Sequence, residues 1–158
     1  AVGQFQVRQH APIVDLHAYM ASFVGFDPAV LPDSEDVRLE DIDRIPDSAI
    51  PPQTREMMRN LIVRLGQTSF RQAYQRLRDF RIQDASLCNI RCPSLALLGT
   101  GEGAEPLAQC EHFLRAVGGP VARHVFTAEE GAEGHCQTGN LAYSAAVSMD
   151  WLDELFGG

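Results

Sequence analysis

Six consecutive residues, Ser94-Leu95-Ala96-Leu97-Leu98-Gly99, constrain the fold of this chain more than any other stretch. An uninterrupted apolar run of this length, led in by Cys92-Pro93 and ended by a glycine turn, suits a strand covered on both faces, the condition of a parallel sheet. The downstream sequence has the matching rhythm. Pro106 to Val117 places Leu107, Cys110, Phe113, Leu114 and Val117 at helical spacing, and Gly118-Gly119-Pro120 ends it. Val121 to Thr127 reads as the next strand. Asn140 to Phe156 reads as a closing helix, with Leu141, Ala145, Met149, Trp151, Leu152, Leu155 and Phe156 as candidates for its buried face. Strand–helix–strand–helix predicts an α/β fold in which two adjacent parallel strands are joined by a right-handed crossover.

The chain upstream is less regular. Residues 1–9 carry a weak strand signal in Val2, Phe5 and Val7, and Ile13 to Phe26 has helical spacing. Residues 27–52 hold five prolines and eight acidic side chains, the composition of a solvated connection with one helical turn near Leu39–Asp43. Pro51-Pro52 then opens a helix with Met57, Met58, Leu61, Ile62 and Leu65 on one face, and Gly66 stops it. Thr68 or Ser69 caps a second helix with Phe70, Ala73, Tyr74, Leu77 and Phe80 inward. The expected organisation is therefore a strand and helix over 1–26, an acidic loop and helical hairpin over 27–85, and a β-α-β-α unit over 86–158.

Composition narrows the function classes. The 158 residues are 45% hydrophobic and 22% charged, ordinary for one globular domain. The formal net charge of −8 argues against binding nucleic acid or an anionic membrane surface. No apolar run approaches the roughly 20 residues of a membrane span, and the first residues lack the pattern of a signal peptide. Four cysteines are too few for a disulfide scaffold, so a cytoplasmic location is expected. Cys88 and Cys92 have no second ligand pair, so no metal site and no cofactor are expected. His10 and His17 have no partner that the sequence can name.

The chemistry gathers in two loops. In an open parallel sheet functional groups collect at the carboxyl ends of the strands. Gly99-Thr100-Gly101-Glu102-Gly103 lies just past the first strand, and Gly131-Ala132-Glu133-Gly134-His135-Cys136-Gln137 comes after the second. Neighbouring strands lie about 4.8 Å apart, so paired strands would bring a carboxylate on one loop against an imidazole on the other. The carboxylate would hold the ring's tautomer and stabilise the imidazolium formed when His135 takes a proton. Glu102 is the candidate acid, with Glu105 competing from the next turn. Glu129, Glu130 and Glu133 read as surface groups or a helix-like turn, and Cys136 reads as packing rather than as a nucleophile.

Ile90-Arg91-Cys92-Pro93-Ser94-Leu95, Gly99-Thr100-Gly101-Glu102 and the run Thr127 to Gln137 resemble the C-terminal half of α/β-hydrolases. The group in question contains dihydroxypseudooxynicotine hydrolase and the fungal polyketide-shortening hydrolases. The resemblance is specific over residues 66–156 and extends to that group's helical lid, which Gly66–Asp79 resembles. It implies the C-terminal portion of an α/β-hydrolase fold preceded by a lid segment, with His135 as triad base and Glu102 in the acid position. Many relatives carry aspartate there, which keeps Glu105 in consideration. It also implies a small-molecule carbonyl substrate, either an ester or a carbon–carbon bond beside a ketone. The family's serine elbow, G-x-S-x-G, does not occur in this sequence. The expectation is that the nucleophile comes from an N-terminal half in the same gene or a second chain, and that this chain alone is inactive. A non-catalytic assembly module, using the Met57–Phe80 hairpin as partner surface, and an acyl-transferring or lactone-forming enzyme are the alternatives. A homo-oligomer is compatible with each.

Overall fold

A computed structural model describes residues 7–24 and 27–157. The expected strand positions Val2 and Phe5, and Phe26 of the first helix, lie outside them. The chain divides into two compact units. One comprises the segment ending at Val14 together with Ile82 onward, and the other is Asp15–Arg81. The helix expected to accompany the first strand therefore groups with the helical unit instead.

The first unit is built on a three-stranded parallel sheet in the order β1-β2-β3, where β1 is Val7–His10, β2 is Ser94–Gly99 and β3 is Val121–Phe126. Ser94 aligns with Val7 on one side and Val121 on the other. All six β2 residues are buried, and alternation along the strand sends them to two cores. Ala96 and Leu98 pack with Leu87, Cys110, Phe113 and Val117, from helices α4 (Asp84–Cys88) and α5 (Ala104–Ala116) and the residue after α5. Leu95 and Leu97 pack with Phe126 and Ala132, and against Tyr143, Val147 and Trp151 of α6 (Leu141–Phe156). Helices thus cover both faces of the central strand, which is why its sequence is apolar without interruption. Burying each of its three leucines stabilises the fold by roughly 2 kcal/mol.

The α6 face departs from expectation. Leu141, Met149, Leu155 and Phe156 are exposed, and the inward face is Tyr143, Ser144, Val147, Ser148 and Trp151. The helix carries two apolar stripes, and the one with small serines lies inward. Ser148 satisfies its buried hydroxyl by donating to the Ser144 carbonyl at 2.8 Å, the back-bonding that lets serine sit inside a helix. The short helix α4 has no counterpart among the elements expected from the sequence.

The second unit is helical. It contains α1 (Leu16–Val24), α2 (Pro52–Arg64) and α3 (Phe70–Arg76). Pro52 occupies the first turn of α2, and Gly66 leaves it at φ +63°, a left-handed conformation that suits glycine. Ser69 caps α3 by accepting the Gln72 N–H. Met58, Ile62, Phe70, Ala73, Tyr74 and Leu77 form the core. Phe80 does not join them, because α3 gives way after Arg76 to a 3-10 turn that leaves this ring 48% exposed. Nor is the acidic 27–52 stretch merely a solvated connection. Ile42 is wholly buried, and arginines of α2 and α3 hold the acids: Arg55 to Asp47, Arg59 to Asp43, and Arg71 to Asp33 and Asp36. His17, too, has partners here, with Asp27 at 3.4 Å and the Tyr74 ring at 5.0 Å.

Tyr74 has no solvent exposure, and its hydroxyl has no hydrogen-bond partner among the described residues. Burial pushes the phenol up to about 12, so the neutral form is the one the core holds. That preference contributes fully below the ordinary tyrosine value near 10 and is lost as pH rises towards 12. Tyr74→Phe removes an unsatisfied buried group without changing the ring, so it should raise stability by about 1 kcal/mol in chemical denaturation. A loss of stability would show that the hydroxyl is satisfied.

Candidate active site

The two glycine-flanked loops meet at the carboxyl end of the sheet. β2 ends at Gly99 and turns through a 3-10 segment, Thr100–Glu102, which aims the Glu102 side chain back at the strand. There the Gly99 N–H donates to Glu102 Oε1 at 3.0 Å. The other carboxylate oxygen, Oε2, lies 2.8 Å from His135 Nδ1. The Glu102 side chain is only 2% exposed, whereas that of His135 is 58% exposed. A buried carboxylate is costly unless hydrogen-bonded, and here both oxygens are engaged. With the carboxylate accepting from Nδ1–H, Nε2 is the basic nitrogen of the ring.

The His135 loop is locked to the acid loop through the main chain. The Gly101 N–H donates to the Glu133 carbonyl at 3.0 Å. A Cβ at Gly99 would stand 2.0 Å from that same carbonyl oxygen, so the approach depends on glycine at this position. His135 itself opens a tight turn in which Cys136 and Gln137 adopt φ of 55° and 53°. Two successive non-glycine residues in the left-handed region mark a strained loop, a feature that clusters at functional sites.

Glu105 is not brought to His135. Its carboxylate accepts the Gln109 Nε2–H at 2.8 Å, and Gln109 in turn accepts the Val14 N–H. Glu105 thus orients a buried amide that supports the chain after β1. Cys136 is half-buried with a free thiol. The buried Cys110 thiol is pushed up by its burial, with Glu111 and Glu102 adding to the effect and Arg123 opposing it, so it is a poor nucleophile. Among the described residues no group of His, Cys, Asp and Glu is arranged to hold a metal ion, and no helix is long and apolar enough to cross a membrane.

Glu130 lies in the turn that follows β3 and is partly exposed, and its carboxylate is engaged as well. It accepts the Thr127 N–H at 2.7 Å and the Thr127 hydroxyl at 3.1 Å on Oε2, and the Tyr143 hydroxyl at 3.0 Å on Oε1. The Thr127 amide, first among these donors, holds the Glu130 carboxyl below its ordinary value. The hydrogen bond to Glu130, in turn, pushes the Tyr143 phenol up. The spacing Thr127-x-x-Glu130 is that of a capping box, a signal present in the sequence.

Neither the models of known protein families nor the curated proteins match this chain.

Proposed function

We propose that this chain is the C-terminal part of an α/β-hydrolase and supplies the base and acid of a Ser-His-acid triad. The observation that carries this reading is the 2.8 Å contact between His135 Nδ1 and a buried Glu102 carboxylate at the carboxyl end of parallel strands. A serine from polypeptide outside this sequence attacks the carbonyl of an ester, or of a ketone beside a scissile carbon–carbon bond. His135 Nε2 takes the hydroxyl proton as the oxygen–carbon bond forms, and then returns it to the leaving group. Glu102 stays ionised throughout, holding the ring and balancing its positive charge. Water then repeats the sequence on the acyl-enzyme.

Support comes from residue types and placement: an exposed imidazole for a mobile proton and a buried acid to orient it. The test compares the isolated chain with protein purified from its native source. The isolated chain should not hydrolyse p-nitrophenyl butyrate. The native protein should, and a fluorophosphonate probe should label a serine on a peptide outside these 158 residues. Turnover by the isolated chain would refute the shared site.

A further inference from the structure

We infer that Glu130 is a positioning residue for His135. This rests on the reading of His135 as the base, and it adds a second carboxylate to that reading, one that works on the loop and not on the ring. His135 sits in the middle of an irregular segment between β3 and α6, with two left-handed residues directly after it. Such a segment keeps one geometry only if its stems are held. Glu130 holds both. Its Oε2 ties Thr127, the residue following β3, and its Oε1 ties Tyr143 in the first turn of α6. Its own carbonyl accepts the Asn140 Nδ2–H at 2.9 Å, while Asn140 Oδ1 caps α6 by accepting the Tyr143 N–H. One residue therefore gathers the end of the strand, the cap of the helix and the helix's first turn.

His124 on β3 stands with Nε2 4.0 Å from Glu130 Oε1, beyond hydrogen-bond range, and its ring packs on Phe126 and Tyr143. The opposite anchor of the loop is the Glu133 carbonyl on Gly101. Between these two holds the ring meets Glu102 Oε2 at 2.8 Å. Without Glu130 the hold at Gly101 remains but both stems are loosened, so the His135–Glu102 bond should form in only part of the population.

The readout is the His135 Nδ1–H proton in nitrogen-15 NMR of the full 158-residue chain, through its low-field position and its exchange with water. Glu130→Ala should speed that exchange by about tenfold or more, since charged hydrogen bonds are lost. Amide exchange in β2 and α5 should stay as it was. Glu130→Gln keeps a carbonyl oxygen for one donor and should recover most of the protection. If Glu130→Ala does not fold, Tyr143→Phe, which removes one bond, should give a rise of roughly threefold. Unchanged Nδ1–H exchange in Glu130→Ala, or in Tyr143→Phe where that variant is the one read, overturns the positioning role alone. A parent chain with no hydrogen-bonded Nδ1–H at His135 overturns both this role and the triad.

Discussion

In the proposed triad, His135→Ala should lower the native protein's turnover of p-nitrophenyl butyrate by a factor on the order of 10³ or more, with the fold retained. The size follows from the division of labour. In that proposal Nε2 is the atom that carries the proton from nucleophile to leaving group, because the Glu102 carboxylate is buried and already accepts two hydrogen bonds. Alanine at this exposed position opens no cavity in the core, but it takes the imidazole from the buried Glu102 Oε2, so a stability loss of about 1–3 kcal/mol is expected with the fold retained. Glu102→Gln tests the other half. Its amide can still meet Nδ1, but without the negative charge it cannot balance an imidazolium, so a loss of roughly 10²–10⁴ in kcat is expected. Glu105→Ala serves as the control and should leave kcat within about twofold, since that carboxylate holds Gln109 instead. Full turnover in His135→Ala removes this residue from the mechanism. A large loss in Glu105→Ala would mean that the acid is shared.

The pairing of His135 with Glu102 is legible in the sequence because it depends on placement alone. Both residues come after strands that the sequence marks clearly, and parallel pairing makes the loops neighbours whatever their detailed conformation. β2 can be placed residue for residue because its apolar run is bounded by Pro93 before it and by a glycine turn at its end. The inward face of α6 is not legible for the converse reason. Apolar residues outnumber the positions one face offers, and hydrophobicity favours the stripe through Leu141, Met149 and Phe156. The sheet instead receives the stripe with Ser144 and Ser148, whose small size allows close approach. Phe80 is turned out by a change from α to 3-10 geometry that no residue type announces. The left-handed turn at Cys136 and Gln137 is equally silent, since neither residue is one that favours positive φ. Glu130 is a different case: the Thr127-x-x-Glu130 spacing is visible, but here it closes a loop stem where such a box usually starts a helix.

The steric demand at Gly99 leads to the largest expected effect on stability. Gly99→Ala should destabilise the first unit by about 3 kcal/mol and abolish the His135–Glu102 hydrogen bond. The backbone conformation is not the reason, since φ −102° and ψ 142° are open to any residue. The reason is the Glu133 carbonyl oxygen, 2.0 Å from where the methyl carbon would sit, with its carbon at 2.5 Å. Both are main-chain atoms, so no rotamer relieves the clash. β2 cannot retreat, being buried along its whole length between two cores. The loop must therefore move, and it carries His135 two residues further on. Gly101→Ala should be milder, since its Cβ would meet the same oxygen at 3.0 Å and the Glu133 side chain, which can turn away, at 3.2 Å. Gly66→Ala supplies the contrast, with nothing within 4 Å but φ at +63°; it should cost about 1 kcal/mol through backbone strain alone and leave the His135 Nδ1–H signal untouched. Urea unfolding of the three variants, read beside that NMR signal, separates contact from conformation. A Gly99→Ala chain that keeps both its stability and its low-field proton would show that the two loops are not in contact, and the acid–imidazole pair would go with them.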